Sequence, residues 1–261
     1  MARPESQATA GYFPTPEHLL PAIGSLLAIE RERYDRPLLF DPCAGTGSAL
    51  LGLAAAVLDL DPTDASRYCQ AIELEATRAE TLKRRLPHGA AHHGDAFTFA
   101  ISAAPGVSVL FLNPPYDTDP EHRRLEQRFL ARFTDTLAPG GALIFLIPHQ
   151  ALAASADFLA SRFTNVRAWR FPPTDFAAFR QVIVLAERRA EPTPADRVTL
   201  QRLRAAAESA EALPVLPAPG EASALSVHVS HGHLTLHPQT IDVEDLLARA
   251  RPFAPSDPWP P

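Results

Sequence analysis

The chain has 261 residues, 46% of them hydrophobic, and a formal net charge of −6. That is enough apolar material for one large domain with an appendage, and too acidic for a broad nonspecific grip on nucleic acid, which normally needs a basic surface. No run of about 18 apolar residues is present, so no transmembrane helix is expected. Met1-Ala2-Arg3-Pro4-Glu5-Ser6 leads into no apolar segment of the secretory kind, and two cysteines, Cys43 and Cys69, fit a reduced, cytoplasmic setting better than a disulfide framework.

In chain order, residues 1–36 read as an arm with one helix. Pro16-Glu17 opens it, and Leu19, Leu20, Ile23, Leu26 and Leu27 form its apolar stripe. From 37 to 190 strands and helices alternate. Strands are expected at Leu38–Phe40, ending on Asp41, at Cys69–Ile72, ending on Glu73, at Ala90–His93, at Val107–Leu112, ending on Asn113, and at Ala142–Ile147. Helices are expected at 47–58, 76–86, 120–137 and 151–162. The last two strands, Val166–Phe171 and Gln181–Ala186, follow each other with no helix between them. The pattern predicts an α/β fold, a mostly parallel seven-stranded sheet with helices on both faces and an antiparallel last strand. Residues 191–261 form a proline-rich appendage: one helix over 195–212, a hairpin from Leu225–Val229 through His231-Gly232 to Leu234–Leu236, and a short helix over 243–250.

Four motifs carry chemistry. Asp41-Pro42-Cys43-Ala44-Gly45-Thr46-Gly47 follows a strand and opens a helix, where glycines let the backbone turn tightly and approach a ligand. Glu73 ends the next strand, where a carboxylate can accept hydrogen bonds from both hydroxyls of a ribose; Glu75 could equally take that part. Gly94-Asp95-Ala96-Phe97 follows the third strand; Asp95 could accept from an adenine amino group while Ala96 or Phe97 packs on the ring. Asn113-Pro114-Pro115-Tyr116 follows the most apolar strand and is the most specific of the four. A nucleobase amine is a poor nucleophile because its lone pair is delocalised into the ring. An Asn side-chain oxygen and the carbonyl of Pro114 can each accept one amino hydrogen, and Tyr116 can stack on an extruded base.

Together these motifs resemble the class I S-adenosylmethionine-dependent methyltransferases, in the branch that includes N6-adenine DNA methyltransferases. The order resembles that branch's gamma arrangement, and Tyr12-Phe13-Pro14-Thr15-Pro16-Glu17 is similar to its N-terminal Thr-Pro segment. The resemblance implies S-adenosylmethionine as cofactor, held by Phe13, Thr15, Asp41, Cys43, Ala44, Gly45, Glu73, Asp95, Ala96 and Asn113. It implies catalysis by Asn113, Pro114 and Tyr116 on adenine N6 in DNA, within restriction-modification. It also implies an aromatic that holds the flipped base, for which Phe171, Phe176 and Phe179 compete; Phe176 or Phe179 is preferred, with Arg180 and Gln181 lining the same cleft.

About 70 residues follow the catalytic part, fewer than a target-recognition domain usually has, so a partner or a further C-terminal region is expected to choose the target. RNA base amines, then protein glutamine, are the alternative acceptors, and a catalytically inactive methyltransferase-like binding subunit is the alternative outside catalysis. From Arg162 to Arg189 six arginines stand against Asp175 and Glu187, either a local basic patch or a solvated face. His92-His93 and the histidines from His228 to His237 lack the Cys or carboxylate partners that a metal site needs, so no metal is expected.

Overall fold

The computed structural model of the chain describes residues 13–29, 36–87, 89–102, 106–229 and 234–238, with the side chains of residues 102, 178 and 179 outside that description. The strands are β1 Leu27–Ile29, β2 Leu39–Asp41, β3 Cys69–Glu73, β4 Ala91–His93, β5 Phe99–Ser102, β6 Val107–Leu112, β7 Leu137–Pro148, β8 Phe163–Arg170, β9 Gln181–Arg188, β10 Leu225–Val227 and β11 Thr235–Pro238. The helices are α1 Leu20–Gly24, α2 Ser48–Leu58, α3 Pro62–Ala65, α4 Ala76–Arg85, α5 Leu125–Phe133, α6 Leu152–Arg162, α7 Pro173–Phe179 and α8 Arg197–Glu208.

The main sheet has seven strands in the order β4-β3-β2-β6-β7-β9-β8. Only β9 runs against its neighbours, pairing antiparallel with β7 and β8. Its central strands are mostly apolar because both faces are covered. Alternate residues of each serve opposite layers. On β7, Ala142, Ile144 and Leu146 join one core with the arm and α2, while Leu143, Phe145 and Ile147 join a second core with α5, α6 and α8. The chain leaves β2 toward β3 on one side and returns to β6 on the other. That reversal opens a crevice at the carboxyl ends of the strands, where open α/β sheets bind ligands.

The expected alternation holds, with local corrections. A helix, α7, does stand between the last two strands; Pro173 occupies its first turn, where a missing N–H costs nothing, so the Pro172-Pro173 pair opens a helix instead of forbidding one. The helix expected over 120–137 is shorter, Leu125–Phe133. Buried Asp119 draws the preceding residues into a turn, accepting from the N–H groups of Glu121 and Arg123 at 2.9 and 2.8 Å, and His122 takes φ 60°. At its other end β7 begins at Leu137 rather than Ala142. The arm helix ends at Gly24, and Leu27, expected in its stripe, begins strand β1 instead; β1, β5 and the short helix α3 were not expected.

The C-terminal hairpin is also corrected. β10 pairs parallel with β1 of the arm, and β11 pairs antiparallel with β5. Two short apolar strands near each other in sequence suggest mutual pairing, but each finds a longer-range edge with a buried face. The turn at His231-Gly232 and the helix over 243–250 lie outside the described residues, as does Tyr12. No described helix is long and apolar enough to cross a membrane.

Candidate active site

The turn after β2 is built by backbone conformations that suit glycine. Gly45 has φ 58° and Gly47 φ 80°, both left-handed. The turn is stitched to the neighbouring strand: the Ala44 N–H donates to the Ile72 carbonyl at 2.9 Å and the Gly45 N–H to Glu73 Oε2 at 2.7 Å. Beside it lies a cleft of about 510 Å³, open mouth included, lined by Pro42, Cys43, Glu73, Leu74, Arg78, Gly94, Asp95, Ala96, Asn113, Pro115 and Phe129. The structure therefore brings Cys43, Glu73, Asp95, Ala96 and Asn113 to one cleft. Ala44 and Gly45 form the turn at its edge, and Asp41, buried at the end of β2, accepts the N–H of the cleft residue Cys43.

Glu73 is 4% exposed. Its Oε1 accepts from the Glu75 N–H at 2.8 Å and from Arg78, whose Nη2 stands 2.8 Å away. Glu75 caps α4, accepting the Thr77 and Arg78 N–H groups at 2.8 Å, which holds its carboxyl below the usual range. The two acids are thus separated: Glu73 faces the cleft and Glu75 belongs to the helix terminus. Asp95 is exposed and accepts the Phe97 N–H at 2.9 Å. Ala96 lines the cleft, whereas the Phe97 ring packs on Phe129 at 4.8 Å with the Arg128 guanidinium over it at 4.5 Å. Leu74, Arg78, Pro115 and Phe129 were not anticipated. Leu74 is the one with a local signal, a leucine 58% exposed directly after the strand-end acid.

Burial pushes the Asp41 carboxyl up to about 7; the Cys43 N–H, 2.9 Å from Oδ1, works against this, and the charge of Glu73 adds to it. Burial, with Asp41 nearby, also pushes the Cys43 thiol up, so it stays protonated and unreactive.

At the end of β6, Asn113 joins its loop, Asn113–Tyr116, to the arm. Its Nδ2 donates to the Phe13 carbonyl at 2.8 Å and to Thr15 Oγ1 at 3.0 Å. Its Oδ1 accepts from the Tyr116 hydroxyl at 2.8 Å, and Gln181 Nε2 in turn donates to that hydroxyl. The Phe13 ring stacks on Tyr116 with centroids 4.9 Å apart and planes 11° from parallel. Burial pushes the Tyr116 phenol up, so it acts here as a hydroxyl and not as a phenolate. Pro114 is buried. The arm's His18 also contacts Asp175 of α7 at 3.2 Å.

Among the candidate substrate residues, Phe176 is half-buried against both cores, with the His149 ring 6.0 Å away. Arg180 is exposed and closes α7 in a left-handed conformation. Phe171 is fully buried and cannot reach a base, and the Phe179 side chain lies outside the described residues. Four of the six arginines between Arg162 and Arg189 make polar contacts within the fold. Arg162 and Arg188 pair with Asp135, Arg167 donates to the Ser223 carbonyl and Arg189 to that of Phe163. Among the described residues no three His, Cys, Asp or Glu side chains gather as a metal site.

Solved structures share this architecture at low identity. A protein of Listeria monocytogenes described as a class I S-adenosylmethionine-dependent methyltransferase aligns with TM-score 0.52 and 14% identity, over 77% of this chain and 72% of its own. The type IIG restriction endonuclease BpuSI aligns with TM-score 0.52 and 18% identity, over 94% of this chain and 33% of its own. A type I restriction-modification methyltransferase subunit of Streptococcus thermophilus aligns with TM-score 0.50 and 15% identity, over 76% of this chain and 53% of its own. The chain thus matches a third of the first restriction protein and about half of the second. The shared fold is the class I methyltransferase fold. No curated protein matches the sequence. The profile of the uncharacterised methyltransferase family DUF6094 matches residues 2–224, from the arm through the glycine turn and the Asn113 loop to the segment beyond α8, and the chain belongs to that family.

Proposed function

We propose that this protein binds S-adenosylmethionine in the cleft beside the Gly45–Gly47 turn and methylates the N6 amino nitrogen of adenine in DNA, in a restriction-modification setting. The residues of the cleft suit such a cofactor. Carboxylates at Glu73 and Asp95 accept hydrogen bonds from a nucleoside, Leu74 offers an exposed apolar face that a planar ring would cover, and buried Asp41 offers an anion for a cationic tail. Bound there, the cofactor supplies an electrophilic methyl group. This chain's part is to present the acceptor nitrogen. Asn113 Oδ1 and the Pro114 carbonyl accept the two amino hydrogens, which draws the nitrogen toward tetrahedral geometry and returns its lone pair. No strong base is needed if the proton leaves after attack. The single observation that carries the reading is the position of Asn113: at the carboxyl end of β6, in the wall of the cleft and hydrogen-bonded to Tyr116.

DNA is favoured over RNA and protein because the Thr15-Pro16 arm precedes the cofactor motifs, in the gamma order, and meets the catalytic Asn113. Choice of the target sequence falls to a partner or to a further region. Transfer of tritiated methyl groups to separate DNA, RNA and protein pools, followed by nucleoside analysis, tests the proposal. N6-methyladenine in DNA is expected, and label confined to protein would overturn it.

A further inference from the structure

Asn113, Tyr116 and Gln181 form a hydrogen-bond chain whose direction is fixed from its far end. The Phe13 carbonyl can only accept, so the Asn113 NH2 must face the arm and Oδ1 must face Tyr116. With Oδ1 an acceptor, the single Tyr116 O–H must be donated to it. The Tyr116 oxygen can then only accept from Gln181, so the Gln181 amide must turn its NH2 toward the ring. Gln181 Oε1 is consequently left buried with no hydrogen-bond partner, in a residue 0% exposed.

That arrangement costs stability. A buried acceptor without a donor is unfavourable by about 1–3 kcal/mol, and an apolar side chain of similar size would avoid the loss. Gln181 begins β9 opposite Pro148, where its neighbours Val182, Ile183 and Val184 are all apolar and fully buried. A lone amide in that row, spending its donor on the one tyrosine of the catalytic loop and leaving its acceptor unmatched, is poorly explained by packing.

We infer that Gln181 is a positioning residue for methyl transfer: it holds the Tyr116 hydroxyl so that Tyr116 donates to Asn113 Oδ1, which fixes the Asn113 amide and leaves its second acceptor position for the substrate amine. The inference rests on the amino-methylating reading above. It assigns Gln181 no contact with the substrate; its effect passes through Tyr116.

The test is Gln181→Met in the full chain, with Gln181→Leu as a second variant should methionine pack poorly. Thermal melting and cofactor affinity should match wild type or melting should rise, because a buried orphan acceptor is removed. The methyl-transfer kcat should fall by up to about 10²-fold, the scale of a small misplacement in an active site. In a Tyr116→Phe background, Gln181→Met should add no further loss in kcat, since the hydroxyl through which it acts is already gone. Wild-type kcat in Gln181→Met, or a fully additive double variant, overturns the inference. Crystal structures of wild type and Gln181→Met give a readout independent of activity: the 2.8 Å contact between Tyr116 and Asn113 should open in the variant, and its retention overturns the inference. A wild-type protein that methylates no amino nitrogen sinks the function proposed above, while the structural comparison still decides what Gln181 does.

Discussion

Asp41 makes the stability of the fold depend on pH. Its unfolded carboxyl ionises near 3.8, but burial holds the folded one up to about 7. Between these values the folded protein keeps a proton that the unfolded chain has released, so stability falls as pH rises through this window and levels off above it. The contribution of this one group is on the order of 4 kcal/mol. Asp41→Asn, which keeps an acceptor for the Cys43 N–H, should flatten the slope and be the more stable protein at about pH 8. Urea unfolding at about pH 5 and pH 8 measures it, and equal slopes for both proteins would exclude Asp41 as the source. A cationic cofactor is held best by the carboxylate, so its affinity should rise with pH and level off above about 7. A calorimetric dissociation constant unchanged across that range would place Asp41 outside the binding site. Asn113→Ala should abolish transfer and leave cofactor affinity largely intact; full activity in that variant would remove Asn113 from the mechanism. Asn113 was legible because its partners in the motif are consecutive and sit at the end of an apolar strand. Leu74, Arg78 and the ordering effect of Gln181 were less so, because their meaning depends on which segments the fold brings alongside them.

The arm packs on the Asn113–Tyr116 loop. Phe13 covers one face of Tyr116, and Phe13 and Thr15 hold both Asn113 N–H bonds. An aromatic stack of this kind is worth about 0.5–1.5 kcal/mol, which corresponds to roughly 2- to 10-fold in rate if it is felt mainly in the transition state. Phe13→Ala should therefore lower kcat by that factor while moving cofactor affinity less; a change confined to cofactor affinity would show that the arm serves the cofactor only. Main-sheet strands were readable because a central strand buried on both faces is a plain apolar run. Elements governed by one polar residue were not. Asp119 shortens α5 through its backbone bonds, and Pro173 starts α7 where two prolines suggest a loop. Nothing in the periodicity of either stretch reports those hydrogen bonds.

Across the whole molecule, residues 191–238 contribute side chains to both cores. Leu203, Leu213, Leu216, Leu225, Val227, Leu234 and Leu236 are all less than 10% exposed. α8 packs through Leu203 and Ala206 into the core shared with α5 and α6, β10 supplies the edge that β1 pairs with, and β11 does the same for β5. The proline content that marks this segment in the sequence reflects a chain running across the surface from one anchor point to the next, and its anchors are single leucines too widely spaced to give a period. Their partners, on β1 and β5, are short edges which composition cannot pair. The energetic consequence is large. Each fully buried leucine or valine contributes about 1.5–3 kcal/mol, so the seven together offset on the order of 10 kcal/mol or more, comparable with the whole net stability of a domain. A chain ending at residue 190 should accordingly lose cooperative melting or melt at least about 10 °C lower, as judged by circular dichroism. If it instead melted within a few degrees of the full chain and still bound cofactor, residues 191–261 would be a separable appendage, available to meet DNA or a partner. Loss of folding would mean that the segment holds the sheet together.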